Sequence, residues 1–317
     1  MARYFARRLL HALTTLFLVC TATFAIIHAA PGGPSVLADP KLTATERQAI
    51  ERRLGIDRPL GEQYARWIGS VARGDLGNSF LYQVPNVQAI RERLPGTLLL
   101  AGTALLAAIV IALTLGTYCA ARPGSVADHA VTVLASAAMA IPAFWLAMVL
   151  ILLFAVTWGV LPAGGNITVG GTGSLGDRLA HLILPVTVLS AALTAELLRY
   201  ARSSTRSALL QPFVRVAQAK GVSKTRLRRR HALRNALIPV VTLIGLQLPR
   251  LVGGAAVTET VFSWPGMGRL GVEAALSRDY PLVLAITLVI SAAVAVVTLL
   301  VDIIYVWLDP RIRLART

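Results

Sequence analysis

Charged residues and sulfur are both scarce in this chain of 317 residues. Asp, Glu, Lys and Arg together make up 15% of the sequence, whereas 56% is hydrophobic. This balance excludes an ordinary soluble domain and indicates an integral membrane protein. The two cysteines, Cys20 and Cys119, both fall in apolar runs. We therefore exclude a disulfide framework and a cysteine metal site, and interpret both as small buried hydrophobic residues.

Sequence motifs for nucleotide hydrolysis and metal binding are also missing. No G-x-x-x-x-G-K-[ST] phosphate loop occurs, so we do not expect the chain to hydrolyse ATP itself. No H-E-x-x-H motif occurs, and the five histidines are scattered without the spacing of metal ligands. We predict neither metal nor cofactor in this chain. A membrane-embedded enzyme stays as an unfavoured alternative, because the ionisable residues of the apolar runs are isolated.

Six apolar runs are long enough to cross the hydrocarbon core, which takes about 20 residues of helix. All are rich in Ala, Leu and Val, so we predict an all-α integral membrane protein with six transmembrane helices. The first run is longer than a signal-peptide core of about 7–15 residues, and we interpret it as a retained helix. The runs are Leu9–Ala30, Leu98–Ala121, Ala130–Trp158, His181–Ala201, Ala236–Ala256 and Pro281–Leu308.

Basic residues are concentrated in three segments that a six-span topology places on one side. These are residues 1–8, the stretch Arg199–Arg234 with eleven basic and no acidic residues, and residues 309–317. Together the three segments carry the whole formal net charge of +16. Because Lys and Arg prefer cytoplasmic loops, we predict that both termini and the loop 202–235 are cytoplasmic.

The segment 31–97 falls on the opposite side and is predicted to form an extracytoplasmic helical cap. "TATE", Thr43 to Glu46, predicts a capping box at the start of a helix that Gly55 ends. Two further loops on that side are predicted at about 159–177, which we expect to be irregular, and 258–280. A second cap helix is indicated by apolar residues on one face, namely Leu60, Tyr64, Trp67, Ile68 and Val71.

Ionisable residues inside apolar runs are costly and are often functional. Arg250 lies in the fifth run, and two interpretations stay open: a role at a translocation path, or packing against a partner subunit. Glu196 and Arg199 are spaced i, i+3, and we expect them to pair on one helix.

The loop sequence "RVAQAKGVSKTRLRRRHALRNALIPV", Arg215 to Val240, holds eight basic residues. "FVRVAQAKG" predicts a short helix that Gly221 ends, and Ser223 is a candidate cap for a second helix. The stretch contains no aromatic residue for stacking on bases, and cytoplasmic topology already explains its charge. We therefore do not predict nucleic-acid binding.

This loop resembles the "EAA---G---------I-LP" pattern of permease subunits of ATP-binding cassette (ABC) importers, in their dipeptide/oligopeptide/nickel branch. "RVAQAKG" matches the first part with Ala217 and Gly221, and "NALIP" matches the last, whereas Arg215 stands where many importers have Glu and Ile238 stands at a Leu position. The resemblance covers nearly the whole chain in the family's order. It includes "LGIDRPLGEQYARWIGSVARGDLGNSF", "VTETVFSWPGMGRLGVEAALSRDYPLV" and "VDIIYVWLDPRIR".

The resemblance implies a type I ABC importer permease fold, with residues 9–30 as the first span and a permease core at 98–308. The chain would be a non-catalytic subunit of the inner membrane of a bacterium, working by alternating access with a coupling helix seated on an ATPase. Partners would be a second homologous permease, two ABC ATPases that bind ATP and Mg²⁺, an extracytoplasmic solute-binding protein and membrane lipid.

Dipeptides or oligopeptides are the substrate that the resemblance favours, with nickel, glutathione or another small solute as alternatives. Gly221 would provide the turn of the coupling segment, and Ala217 would permit close approach to the ATPase. The implied coupling residues are Arg215, Ala217, Lys220, Gly221, Arg230, His231, Asn235 and Pro239, with Arg250 and Glu259 as candidates for the translocation path.

Overall fold

The chain folds into helices that form two compact units in the computed structural model. Unit 1 comprises Met1–Thr97 with Pro265–Val296, and unit 2 comprises Leu98–Trp264 with Val297–Thr317. In the described part of the chain, extended pairing is limited to one isolated bridge between Asn78 and Pro85. The structure describes residues 2–31, 33–37, 42–171, 173–220, 240–241, 243–248, 251 and 255–308.

Among the described residues, four helices are long and apolar enough to cross a membrane. They are α1 (Ala2–Ala29), α4 (Asn86–Ala121), α7 (Leu175–Leu209) and α11 (Tyr280–Leu308). A bent pair of helices makes a fifth candidate if it counts as one span. The fifth predicted run is described only in part, and its helical residues are 240–241, 243–248 and 251. Residues 236–239, 242, 249–250 and 252–254 of this run lie outside the described residues. The count of six spans therefore stays a prediction.

The third predicted run is not the single straight helix that we expected. Helix α5 (Val126–Ala140) ends at Ile141, whose backbone is extended with φ −79° and ψ 125°. Helix α6 (Ala143–Leu150) then starts after Pro142 and continues as a π-helical segment, Ile151–Thr157. The two halves differ in direction by 106°. The reason is Pro142, because the proline ring disfavours helical geometry in the residue before it.

Helix α7 is the central element of unit 2. In its most apolar window 56% of the residues are buried, compared with 11% for α1. The core around α7 consists largely of alanine and leucine, and small residues let helices approach closely where hydrocarbon replaces water. Its buried members include Ala108, Ala112, Ala135, Leu193, Leu197, Ala201, Val240 and Leu243.

The two short helices predicted in segment 31–97 are present in unit 1. Helix α2 (Ala44–Leu54) begins with the predicted capping box and ends at Gly55, whose φ of 69° is the left-handed geometry that glycine adopts easily. Helix α3 (Leu60–Ala72) contacts α1 through a 2.5 Å hydrogen bond between the Tyr64 and Thr21 hydroxyls. Phe24 of α1 packs edge-on against the Tyr64 ring.

Much of the stretch 258–280, which we predicted as a loop, is helical. It contains most of α9 (Ala256–Val261) in unit 2 and all of α10 (Met267–Leu276) in unit 1. In unit 1, α10 packs with α4 and α11 in a core that includes Ile90, Leu270 and Leu282. By contrast, the stretch from Trp158 to the start of α7 is mainly irregular, as predicted.

Candidate functional site

The end of α7 and the short helix α8 (Pro212–Ala219) form the described part of the predicted coupling loop. Leu210 and Gln211 donate their N–H groups to the carbonyls of Ser207 and Ala208, so α7 ends in a tight turn. Helix α8 starts at Pro212, where proline costs no hydrogen bond that the helix would otherwise form. The sequence prediction of a helix here is confirmed.

One face of helix α8 is buried and another face is exposed. Val214 is 2% exposed, whereas Val216 is 55% exposed and Lys220 is also exposed. Arg215 and Ala217 lie within α8. The exposed face therefore includes an apolar side chain.

The other predicted coupling residues and one path residue fall on parts of the chain that the structure does not describe. Their assignments stay predictions. They are Gly221, Arg230, His231, Asn235, Pro239 and Arg250.

A buried ion pair joins α7 to the first turn of α5, close to the coupling segment. Arg202 donates from Nε to Asp128 Oδ1 at 2.5 Å and from Nη2 to Asp128 Oδ2 at 2.8 Å. The Asp128 side chain is 4% exposed and that of Arg202 is 30% exposed. Gly124 N–H donates to the same carboxylate at 3.0 Å, and the Ser125 hydroxyl accepts from Asp128 N–H. The carboxylate is therefore held from two directions by charge-assisted hydrogen bonds.

This ion pair was not predicted from the sequence, in which Arg202 belongs to the basic loop and Asp128 is not a candidate site residue. The spacing S-x-x-D from Ser125 is a recognisable helix-start signal, and it predicts the cap correctly. Nothing in the sequence indicates a partner 74 residues away.

Helices α4 and α7 are in backbone contact beside this ion pair. A Cβ atom built on Gly116 would lie 2.9 Å from Ala201 Cβ and 3.1 Å from the Leu198 carbonyl oxygen. No larger residue fits without displacing α7. Gly116 therefore permits the close approach that places Arg202 between α4 and α5.

The predicted pair between Glu196 and Arg199 does not form. Glu196 instead accepts a 2.5 Å hydrogen bond from the Gln247 amide, and Arg199 contacts the Met139 sulfur at 3.7 Å. Gln247 is a buried residue of another helical stretch. Its amide donates to Glu196 at a position where water does not compete for the amide group. Tertiary packing has thus overridden a weak local pairing rule.

Glu259, a predicted path residue, lies in the interior of unit 2. It is 0% exposed, and its carbonyl accepts from Trp264 N–H at 2.8 Å, which closes the turn after α9. Phe262 packs against Ala147 of α6 and Leu184 of α7. Its assignment to the translocation path stays a prediction.

In unit 1, a buried carboxylate holds the loop between α3 and α4 to the start of α11. Asp279 is 0% exposed and accepts from Ser79 Oγ at 2.5 Å, Leu81 N–H at 2.9 Å and Leu282 N–H at 3.2 Å. Ser79 in turn accepts from Tyr82 N–H at 2.9 Å. The first of these bonds joins residues 200 positions apart, so the sequence analysis did not find the cluster.

A second polar contact from the same loop reaches α10. The Tyr82 hydroxyl donates to Glu273 at 2.8 Å, and Arg269 donates to the other carboxylate oxygen at 2.7 Å. Burial, together with the hydrogen bond to the Glu273 carboxylate, raises the pKa of Tyr82 to about 12. Burial alone would raise the pKa of Glu273, but the hydrogen bonds from Tyr82 and Arg269 outweigh it and lower that pKa. The phenol therefore stays neutral and the carboxylate charged near neutral pH.

Histidines of the described chain make local contacts. His28 bonds the Phe24 carbonyl, His129 bonds the Ser125 carbonyl, and buried His181 lies 3.6 Å from Asp177. Among the described residues there is no group of three His, Cys, Asp or Glu side chains that could hold a metal ion.

Known protein families and relatives match this chain over nearly its whole length. The family model described as "Binding-protein-dependent transport system inner membrane component" matches residues 112–314, and the model of its N-terminal part matches residues 1–101. The oligopeptide transport system permease protein AppB of Bacillus subtilis is 39% identical over 315 residues, which covers 99% of this chain and 100% of the relative.

Two further relatives have similar coverage. The dipeptide transport system permease protein DppB of Escherichia coli K12 is 36% identical over 336 residues, covering 99% of both chains. The glutathione transport system permease protein GsiC of Escherichia coli O6:H1 is 38% identical over 314 residues, again with 99% of both chains covered.

Proposed function

This chain belongs to the family of binding-protein-dependent transport system inner membrane components, and we propose that it is a permease subunit of an importer for dipeptides and oligopeptides. It is a multi-pass membrane protein and a transport subunit. The observation that carries the peptide assignment is the full-length match to permeases named for oligopeptides and dipeptides. Membrane-embedded catalysis has no comparable support.

Glutathione is the second candidate substrate, because a permease named for glutathione is 38% identical over the same length. Glutathione is itself a small peptide with free carboxylates and an ammonium group. It therefore falls in the same chemical class as the favoured substrates. Nickel has no support among these relatives.

Coupling to ATP hydrolysis is proposed to occur through α8. Both termini and the loop 202–235 would face the cytoplasm, and α8 would bind one of two ABC ATPase subunits that hold ATP and Mg²⁺. The position of α8 directly after the tight end of α7, with Val216 and Lys220 exposed, supports this assignment. Acidic groups on the ATPase, or anionic lipid headgroups, would neutralise the basic residues of the stretch Arg215–Val240.

Transport is proposed to follow alternating access in a pathway that this chain forms with a second, homologous permease. A solute-binding protein would deliver the peptide to the segment 31–97. Arg250 and Glu259 are our candidates for residues that meet the substrate, because ionisable side chains in a membrane usually have a functional partner.

The first test is purification of the tagged protein from native membranes in mild detergent, with mass spectrometry of its partners. We expect two ABC ATPases, a second permease and a solute-binding protein. That complex, reconstituted in proteoliposomes, should take up a labelled dipeptide when ATP is supplied. Uptake of glutathione but not of dipeptides would select the second candidate, and recovery of this chain alone would refute the proposal.

A further inference from the structure

The Asp128–Arg202 ion pair occupies a distinctive place in unit 2. Arg202 lies in α7, ten positions before Pro212, the first residue of α8. Asp128 lies in the first turn of α5, whose other end is the break at Ile141 and Pro142. The pair thus joins the helix that leads into α8 to the element that leads into the 106° bend.

We propose that the Asp128–Arg202 pair transmits movement of α8 to the bent α5–α6 segment, so that both residues are positioning residues for energy coupling. This inference rests on the proposed function, in which α8 binds an ATPase subunit. It adds the route by which a displacement at α8 reaches the rest of unit 2.

The first part of this route is continuous helix. Helix α7 extends without a break from Leu175 to Leu209, and Leu210 and Gln211 are bonded back to its last turn. A displacement of α8 is therefore transmitted to a continuous helix and not to a flexible linker. Arg202 lies two turns before the end of that helix.

Two of the helices packed against this part of α7 differ in the kind of contact they make. Gly116 of α4 meets α7 through van der Waals contact between small groups, and packed helices can slide past each other at such surfaces. Arg202 and Asp128 instead form two parallel hydrogen bonds of fixed direction. A small shift of α5 relative to α7 would break both bonds of this bidentate pair, and the loss would be costly. We therefore expect α5 to move with α7 while α4 does not.

The far end of α5 can convert this movement into a change of angle. Ile141 is extended and Pro142 separates α5 from α6, as at a hinge where one or two residues absorb the backbone change. Beyond the break, Ala147 of α6 packs with Leu184 of α7 and with Phe262. Arg202 lies near the α8 end of α7 and Leu184 lies far from it, so a tilt of α7 would displace α5 more than this packed end and would change the bend.

The test uses the whole importer reconstituted in proteoliposomes with its ATPases, second permease and binding protein. The measurement is the number of labelled dipeptide molecules imported per ATP hydrolysed, in preparations with equal amounts of assembled complex. The variants are Asp128→Asn, which keeps side-chain size, Arg202→Gln, which replaces the guanidinium with a shorter neutral polar group, and Arg202→Lys, which keeps the charge. Arg206→Gln is the matched control, since it removes a basic residue one turn further along α7 that is exposed.

We expect Asp128→Asn and Arg202→Gln each to lower import per ATP on the order of tenfold, within the usual range of coupling between sites. The double variant should be no worse than either single variant, because both remove the same interaction. Arg202→Lys should fall between wild type and Arg202→Gln, and Arg206→Gln should stay close to wild type.

Two outcomes would overturn the inference. One is unchanged import per ATP in Asp128→Asn and Arg202→Gln. The other is a loss of assembly in Asp128→Asn, Arg202→Gln and Arg202→Lys alike, which would show that the pair is only a structural brace. A wild-type complex that imports no dipeptide, or that contains no ATPase, would instead refute the proposed function and, with it, the coupling role of the ion pair.

Discussion

Replacing Asp279 with alanine provides a sharp test of how unit 1 is held together. The substitution removes the acceptor of three hydrogen bonds and leaves the Ser79 hydroxyl and the N–H groups of Leu81 and Leu282 without it. A bond to a charged acceptor contributes about 1.5–3 kcal/mol, and the three are not additive. We expect a loss of about 3–5 kcal/mol, which corresponds to a fall of about 10–20 °C in the unfolding temperature of a unit of this size.

The two free cysteines allow each unit to be observed separately. Cys20 is buried in unit 1 and Cys119 in unit 2, so each reacts with a thiol-specific fluorescent dye only when its surroundings open. A chain with Cys119→Ser reports on Cys20, and one with Cys20→Ser reports on Cys119. Heating in detergent then gives an unfolding temperature for each environment.

The Asp279→Ala change should lower the temperature at which Cys20 reacts and affect Cys119 much less. Asp279→Asn keeps one acceptor oxygen and should cost roughly half as much. Asp75→Ala is the matched control, because that exposed carboxylate of the same loop accepts one hydrogen bond, from Gly77 N–H. If Cys20 reacted at the wild-type temperature in Asp279→Ala, the buried cluster would not be a main support of unit 1, and the reasoning would be wrong.

Four further predictions concern other parts of the chain. Gly116→Leu should force α4 away from α7 at a cost of about 1–3 kcal/mol, seen as earlier dye labelling of Cys119, whereas Gly102→Leu, in open space on the same helix, should not. The Tyr82 phenol should ionise near pH 12 instead of 10, measured as the ultraviolet titration difference between wild type and Tyr82→Phe. Because its folded pKa is raised, the stability that Tyr82 contributes is complete below pH 10 and is lost between about pH 10 and 12; a difference spectrum centred at pH 10 would contradict this. Gly221→Trp should leave the protein inserted but uncouple ATP hydrolysis from import, and normal import would remove the coupling role. Arg250→Ala should reduce import more than assembly in the purified complex, and collapse of assembly would identify it as structural.

Local sequence signals were sufficient for several elements. The Thr43–Glu46 capping box, the stop at Gly55 and the short helix before Gly221 depend on residues within a few positions of one another, and each is confirmed where the structure describes it. Apolar length also identified four of the membrane helices, since burial in hydrocarbon demands an uninterrupted run. The family resemblance, which rests on ordered motifs, is confirmed by the end-to-end matches.

The break in the third run is a different case, because the sequence contains its local signal, a proline within the run. Pro142 stands in the middle of an apolar run whose length alone favoured one span. Length and composition do not distinguish a straight helix from two helices at 106°. The local feature that marks the break is the residue before the proline, which is disfavoured in helical geometry.

The sequence alone determined that this protein is a helical membrane permease, because hydropathy, positive charge and ordered motifs are properties of neighbouring residues. Only the tertiary structure decided which polar groups contact each charged side chain. Asp128 pairs with Arg202, Glu196 binds Gln247 rather than Arg199, and Asp279 binds a loop 200 positions away. The physical reason is that a buried polar group must find a partner in space, and helix packing chooses that partner. Spacing along the chain limits such choices only within a turn or two of helix.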